Sequence, residues 1–176
     1  MVDDAQAKSA ESRLESYFAN YDRAQIALGK ALRAKLRARL PGLSEIVYWY
    51  ERQRSLVIAY SPTENGYEAL CSLALYPSAV KLFFAHGPLL SKADPHKLLQ
   101  GSGKLVRYVE LAGVADFERA EIEALMTAAL KLSKLRLDSS AKGSLIIKAE
   151  EQKQRARRAR ATTRPAPAKR KAKPRR

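Results

Sequence analysis

Lys153, Arg155, Arg157, Arg158, Arg160, Arg164, Lys169, Arg170, Lys171, Lys173, Arg175 and Arg176 are spaced mainly by alanine and proline. The chemistry such a run offers is neutralisation of a polyanion. Alanine and proline keep the segment extended and unable to collapse, so each cation can reach a phosphate. No Gly-Arg-Pro element of the kind that enters a minor groove interrupts it, and the expectation is nonspecific nucleic-acid binding without base readout. A tail that only solubilises the chain is the competing reading. Anionic lipid suits it less well, because residues 148–176 lack Leu, Ile, Val, Phe, Tyr and Trp as anchors.

Gly101-Ser102-Gly103-Lys104 invites comparison with a phosphate loop, whose glycine amides and lysine cradle an anion. That loop needs glycine at position 98, Ser or Thr after the lysine, and a helix to follow. The chain has Leu98, Leu105 and a strand-like pattern instead. What survives is a candidate anion site at Ser102, Gly103, Lys104 and Arg107. His86 and His96 are the only imidazoles, and neither is spaced with a nucleophile or carboxylate as a relay requires. Cys71 sits in an apolar alternating stretch, where a buried inert thiol is the usual outcome. The chain therefore reads as a non-enzyme with no catalytic residues and no cofactor.

Tyr48 and Tyr50, with Tyr60 and Tyr76 on neighbouring strands, are candidates to line an apolar pocket or a face that stacks bases, and core packing is the alternative. Alternation sends Trp49 to the opposite face. Iron would need clustered carboxylates or a His-plus-carboxylate set. The acids Asp116, Glu118, Glu121 and Glu123 crowd one helix start, where the helix dipole already accounts for them, and no metal site is assigned.

The chain has 176 residues, and 46% of them are hydrophobic, enough for one domain with its own core. Residues 148–176 hold 13 basic and 2 acidic residues, so +11 of the formal +15 lies in the last 29 positions and the body carries only +4. A single cysteine leaves no disulfide to form and suits a reducing compartment. No run approaches the roughly 20 apolar residues of a membrane span, and the acidic start is unlike a secretory signal. A soluble cytoplasmic protein is expected.

Residues 1–10 read as a flexible N-terminus, and helical spacing begins at Glu11 with Leu14, Phe18 and Tyr21. Asp22 caps a second helix whose Leu28, Leu32, Leu36 and Leu40 recur every fourth residue until Pro41-Gly42. Lys30, Arg33 and Arg37 flank one edge of that stripe; Lys35 and Arg39 flank the other. Period-two patterning then predicts four strands in a meander, with a tight reversal at Asn65-Gly66 that needs positive φ, a third strand over 67–76 and a hairpin at Pro77-Ser78. Asp94, Pro95 and Gly101 mark out a short helix over 95–100, 105–111 is a fifth strand, and Asp116 caps a long final helix. The fold expected is α+β, a two-layer sandwich of a five-stranded, mainly antiparallel sheet with helices on one face. The domain spans 11–143, followed by a basic, largely disordered tail over 144–176.

The run Asp94-Pro-His-Lys-Leu-Leu-Gln-Gly-Ser-Gly-Lys-Leu-Val-Arg107, preceded by two helices and Leu40-Pro41-Gly42 and followed by an acidic-headed helix, resembles the YdhG-like bacterial proteins, a domain-of-unknown-function family. The resemblance covers roughly residues 14–137. It implies a compact α+β fold and, through members described as frataxin-like iron chaperones, a metal-handling alternative. Where many members carry Gly-Met-Pro this chain has Val47-Tyr48-Trp49-Tyr50, and Lys30 to Arg39 contains five basic residues and no acid, a surface that repels iron. The reading is a non-catalytic binding protein whose tail engages nucleic acid; the alternative is a small-ligand or iron-handling domain with an incidental tail.

Overall fold

The computed structural model describes residues 2–148. Helix α1 (Val2–Phe18) begins nine residues before the apolar spacing does. Gln6 to Ser9 are exposed, so this part of the helix has no apolar face for a periodicity argument to find. Helix α2 (Arg23–Arg39) starts where expected, the Asp22 carboxylate accepting from the Gln25 amide at 2.8 Å. It stops at Pro41-Gly42, where Gly42 takes φ +82°, a conformation costly for a side chain.

Strands β1 (Ser44–Tyr50), β2 (Ser55–Ser61), β3 (Cys71–Tyr76), β4 (Ala79–Ala85) and β5 (Val106–Glu110) pair antiparallel in succession. A sixth strand, β6 (Leu145–Ile147), pairs parallel with β1 and completes the order β5-β4-β3-β2-β1-β6. The sheet thus has one strand more than expected. Three apolar residues are too few for period two to distinguish a strand from a loop, and only the edge of β1 defines them as one.

Three local expectations change. Asn65-Gly66 does not make a positive-φ reversal: Asn65 caps a 3-10 turn over Gly66–Glu68, which shortens β3 to begin at Cys71. A Cβ at Gly66 would run into the end of the Tyr48 side chain, which would have to shift. The short helix lies before Asp94 instead of after it, as a 3-10 helix over Gly87–Ala93 with Pro88 in its first turn. Asp94 does cap, accepting from the Leu98 and Leu99 amides at 2.8 and 2.9 Å, but Lys97 at φ +55° turns the chain out of helix. Asp116 likewise lies inside a short helix α3 (Val114–Phe117), accepting from the Ala112 and Gly113 amides, and the long helix α4 (Ala120–Ser133) starts afresh after Arg119.

Leu14 and Phe18 of α1, Leu32 and Leu36 of α2, and Ile122, Leu125 and Met126 of α4 form one core with strand residues of one parity, among them Val47, Leu56, Ile58, Leu73, Leu75, Leu82 and Phe84. Residues of the other parity look away from that core. There Ile46, Ala59 and Ala69 form a small second cluster against Tyr48. The Tyr21 hydroxyl ties the α1–α2 junction to the sheet, accepting from the Leu56 amide at 2.8 Å and lying 2.8 Å from the Leu75 carbonyl.

Leu145 and Ile147 pack half-buried against the main core, and β6 exchanges backbone bonds with β1 at Glu45–Ser144 and Lys148–Val47. Partial burial of two large aliphatic side chains contributes about 1 kcal/mol each, and a domain of this size loses roughly 3 °C per kcal/mol. A chain ended after Lys148 should melt within about 2 °C of the full chain, whereas one ended at Gly143 should melt about 5–10 °C lower. Equal melting of the two truncations would show that β6 adds nothing to the fold.

Candidate nucleic-acid interface

The tail cations, Lys153 to Arg176, lie outside the described residues; what the structure gives is the place from which they depart. Lys148 follows β6, its amide donating to the Val47 carbonyl at 2.9 Å. The register Ile46↔Ile146 and Val47↔Ile147 sets Lys148 level with Tyr48 on the face turned away from the main core.

The α2 cations from Lys30 to Arg39 are engaged within the domain. Arg33 is 9% exposed and donates Nε and Nη2 to both oxygens of Glu45, at 2.9 and 2.6 Å, and Nη1 and Nη2 to both oxygens of Glu11, at 2.8 and 2.7 Å. Glu45 is itself 4% exposed. Arg37 lies 3.6 Å from Glu11, Lys30 pairs with Glu15, Lys35 with Glu118, and Arg39 forks onto Glu123 at 2.9 and 2.6 Å. Helical spacing places these five residues correctly but does not reveal that each meets a carboxylate from another element. The same pairs occupy the acids that an iron site would need: Glu118 and Glu123 face α2 cations, Glu121 pairs with Arg119 at 3.0 Å, and Asp116 accepts from backbone amides. Among the described residues no three metal-ligating side chains cluster.

Ser102, Gly103 and Lys104 are exposed on the loop that leads into β5. The Arg107 guanidinium turns onto the carbonyls of Gly103 and Val106, so it caps the loop's own acceptors instead of facing outward beside Lys104. His86 and His96 are exposed. Cys71 is fully buried, and burial pushes its thiol up to about 12, which leaves no thiolate near neutrality.

Tyr48, Tyr50 and Tyr60 do not come together. Register pairs Tyr60 with Glu45 and Tyr48 with Val57, so Tyr60 belongs to the main core, 1% exposed, while Tyr48 and Tyr50 lie on the opposite face. The Tyr60 hydroxyl has no hydrogen-bond partner among the described residues, and burial, with the Glu45 charge adding to it, keeps it protonated well above the usual phenol range. Trp49 shares that inner face, stacked on Tyr17 at 5.5 Å and edge-on to Tyr21 at 6.3 Å.

The outer face holds a band of which sequence reasoning named Tyr48, Tyr50 and Tyr76 but not Lys81, Phe83 or Tyr108. Tyr48 and Tyr50 stack at 6.3 Å on β1. On β3 to β5, Lys81 Nζ sits 5.7 Å from the Tyr76 ring centroid and 4.3 Å from that of Tyr108, which packs on Phe83 at 5.2 Å. Beyond Phe83 a shallow cleft of about 250 Å³ opens among Tyr67, Ser72, Leu105 and Val106; Tyr67 is 96% exposed and Leu105 66%. Alternation within each strand carried the signal, but placing Tyr76, Lys81, Phe83 and Tyr108 together required the register of three strand pairs. No family model, curated protein or solved structure matches the chain, so the YdhG-like resemblance rests on its quoted residues alone. No described helix is long and apolar enough to cross a membrane.

The hydrogen bonds from Arg33 hold the Glu11 carboxyl below its ordinary 4.5, and Arg39 lowers Glu123 in the same sense. A carboxylate depressed in the folded state contributes stability above its unfolded value and loses it as pH falls through the folded one. The melting temperature should therefore be flat above about pH 5 and decline below 4.5. Glu11→Gln should shallow that decline, which thermal melts from pH 7 to 3 will measure; an unchanged acid limb in that variant would exclude Glu11 as a contributor.

Proposed function

We propose that this chain is a non-catalytic, cytoplasmic binding protein whose C-terminal polycationic segment engages nucleic acid through its phosphates without reading sequence. The observation that carries the proposal is the division of charge. The five cations of α2 from Lys30 to Arg39 are each matched to a carboxylate inside the domain, while the last 29 residues hold 13 basic residues against two acids. A polyanion therefore meets its excess of positive charge at the end of the chain, and counterion release from a nucleic-acid backbone is the driving force such a segment exploits. The lone buried thiol suits a reducing cytoplasm.

The test is a titration of the full chain on a short duplex of mixed sequence and on its RNA counterpart, beside a variant with Lys169, Arg170, Lys171, Lys173, Arg175 and Arg176 changed to Gln. Weaker binding of the variant to every sequence tried is expected. Equal affinity of the two proteins would remove the distal segment as the contact surface.

A further inference from the structure

We infer that the cleft at the C-terminal end of α4 is a binding site for a compact polyvalent anion, a run of two or three linked phosphates. The cleft measures about 510 Å³, the size of a small-ligand site. Four of the residues lining it are cations, Arg39, Lys131, Lys134 and Arg136, and no carboxylate lines it. Arg39 is already engaged by its fork onto Glu123. Lys131, Lys134 and Arg136 are exposed and have no ion pair among the described residues. The site is independent of the segment after Lys148 and goes beyond the nucleic-acid proposal above.

The helix dipole accounts for only one of these cations. Lys131 lies in the last turn of α4, where positive charge is favoured, but Lys134 and Arg136 lie past the helix end and Arg39 comes from α2. The chain turns back to bring them together: Lys134 takes φ +53°, and its amide and that of Leu135 close on the Lys131 and Leu130 carbonyls. Glycine is the usual residue at such a C-terminal turn, and lysine holds it with backbone strain. Leu135 and Leu137 both pack on the core, which leaves Arg136 between them outward and exposed. Glu123, the partner of Arg39, also accepts from the Thr127 hydroxyl at 3.0 Å, so its charge is already met within the domain. Three further cations around one cleft repel each other until an anion enters. A singly charged anion would leave most of that repulsion, whereas two or three linked phosphates carry enough charge to match it, and guanidinium and ammonium donors suit phosphate oxygens. Leu130 and Leu135 supply apolar wall beside the charges, which limits the water that screens such contacts.

The experiment follows thermal melting and calorimetry of the full chain with inorganic triphosphate, against sodium chloride at matched ionic strength. A ligand held by the folded chain raises its melting temperature, and triphosphate at about a hundred times its Kd should raise it by about 5–10 °C. Changing Lys131, Lys134 and Arg136 together to Gln should weaken triphosphate about ten- to a hundredfold and shrink the melting shift to match, whereas Lys131→Arg with Lys134→Arg and Arg136→Lys should keep both. Lys134→Gly relieves the turn: without ligand it should melt about 2–3 °C above wild type and yet bind triphosphate more weakly, a combination that a purely structural lysine would not give. Should the triple Gln variant melt too low to assay, Lys134→Gly decides alone, and an unchanged triphosphate affinity overturns the inference. The variant with six tail cations changed to Gln should keep the triphosphate shift. If that variant loses triphosphate while the triple Gln variant keeps it, the cleft is not the site and the tail proposal stands. If it keeps duplex affinity while the triple Gln variant loses triphosphate, the tail proposal falls and the cleft site stands. Equal melting in triphosphate and in matched sodium chloride overturns the inference. So does a triple Gln variant that loses duplex DNA but not triphosphate, which would make the cleft part of a nucleic-acid surface.

Discussion

The affinity of the full chain for duplex DNA is expected to fall about a thousandfold between roughly 50 and 200 mM salt. Residues 149–176 contain 12 cations, but a segment interrupted by alanine and proline cannot set all of them on phosphates at once. If about six make contact, a slope near −0.9 per phosphate gives a log–log dependence of about −5, and a fourfold rise in salt then costs about three decades. Changing the six cations from Lys169 to Arg176 to Gln should bring the slope to about −2 or −3 and weaken all duplexes alike, because phosphate contacts position a protein without distinguishing bases. Fluorescence anisotropy at four salt concentrations measures both quantities. A steep slope that survives the substitutions would direct attention to the exposed Lys104 and Arg23, since the cations from Lys30 to Arg39 are already matched to carboxylates.

Arg33→Ala is expected to destabilise the domain by about 3–5 kcal/mol, which for a domain of this size is roughly a 10–15 °C drop in melting temperature. Burial alone works against the Arg33 charge, but the hydrogen bonds it donates to Glu11 and Glu45 outweigh it and leave its pKa raised. Truncation leaves Glu45 buried at 4% exposure, with its remaining cation, Arg37, at 3.9 Å. An unneutralised carboxylate in that position accounts for most of the cost. Glu11→Ala should cost much less, since Glu11 is partly solvated and Arg33 keeps Glu45. Replacing Arg33 and Glu45 together by Leu removes both charges and should recover most of the loss; a double variant as unstable as Arg33→Ala would locate the cost in packing instead of charge. Chemical denaturation of the three variants decides between these outcomes.

Most elements were legible where a single local rule governs them. Asp22 and Pro41-Gly42 bounded α2, and alternation with Pro77-Ser78 found the β3–β4 hairpin. Where two local rules compete, or none applies, the reading failed. Asp94 and Asp116 both accept from backbone amides as their residue type suggests, yet neither starts the helix expected of it, because an aspartate cap satisfies a turn as readily as a helix. The first turns of α1 had no apolar face to read, and β6 was too short to have a period.

The sequence by itself determined the α+β class, the division of charge between body and tail, and which residues alternate within each strand, because these depend on composition and on spacings of two to four residues. Only the tertiary structure decided which alternating sets share a face. The Glu45↔Tyr60 register sends Tyr60 inward and leaves Tyr48 and Tyr50 outside, a one-residue slip would reverse that, and no local signal fixes it. The cancellation of the α2 charges was likewise invisible, since Arg33 meets Glu11 and Glu45 from two other elements and Lys35 and Arg39 meet acids more than 80 positions away. Contacts at that separation form because burying the leucines of α2 and α4 against one sheet face brings the flanking charges together, and it is the energy of the common core that specifies them.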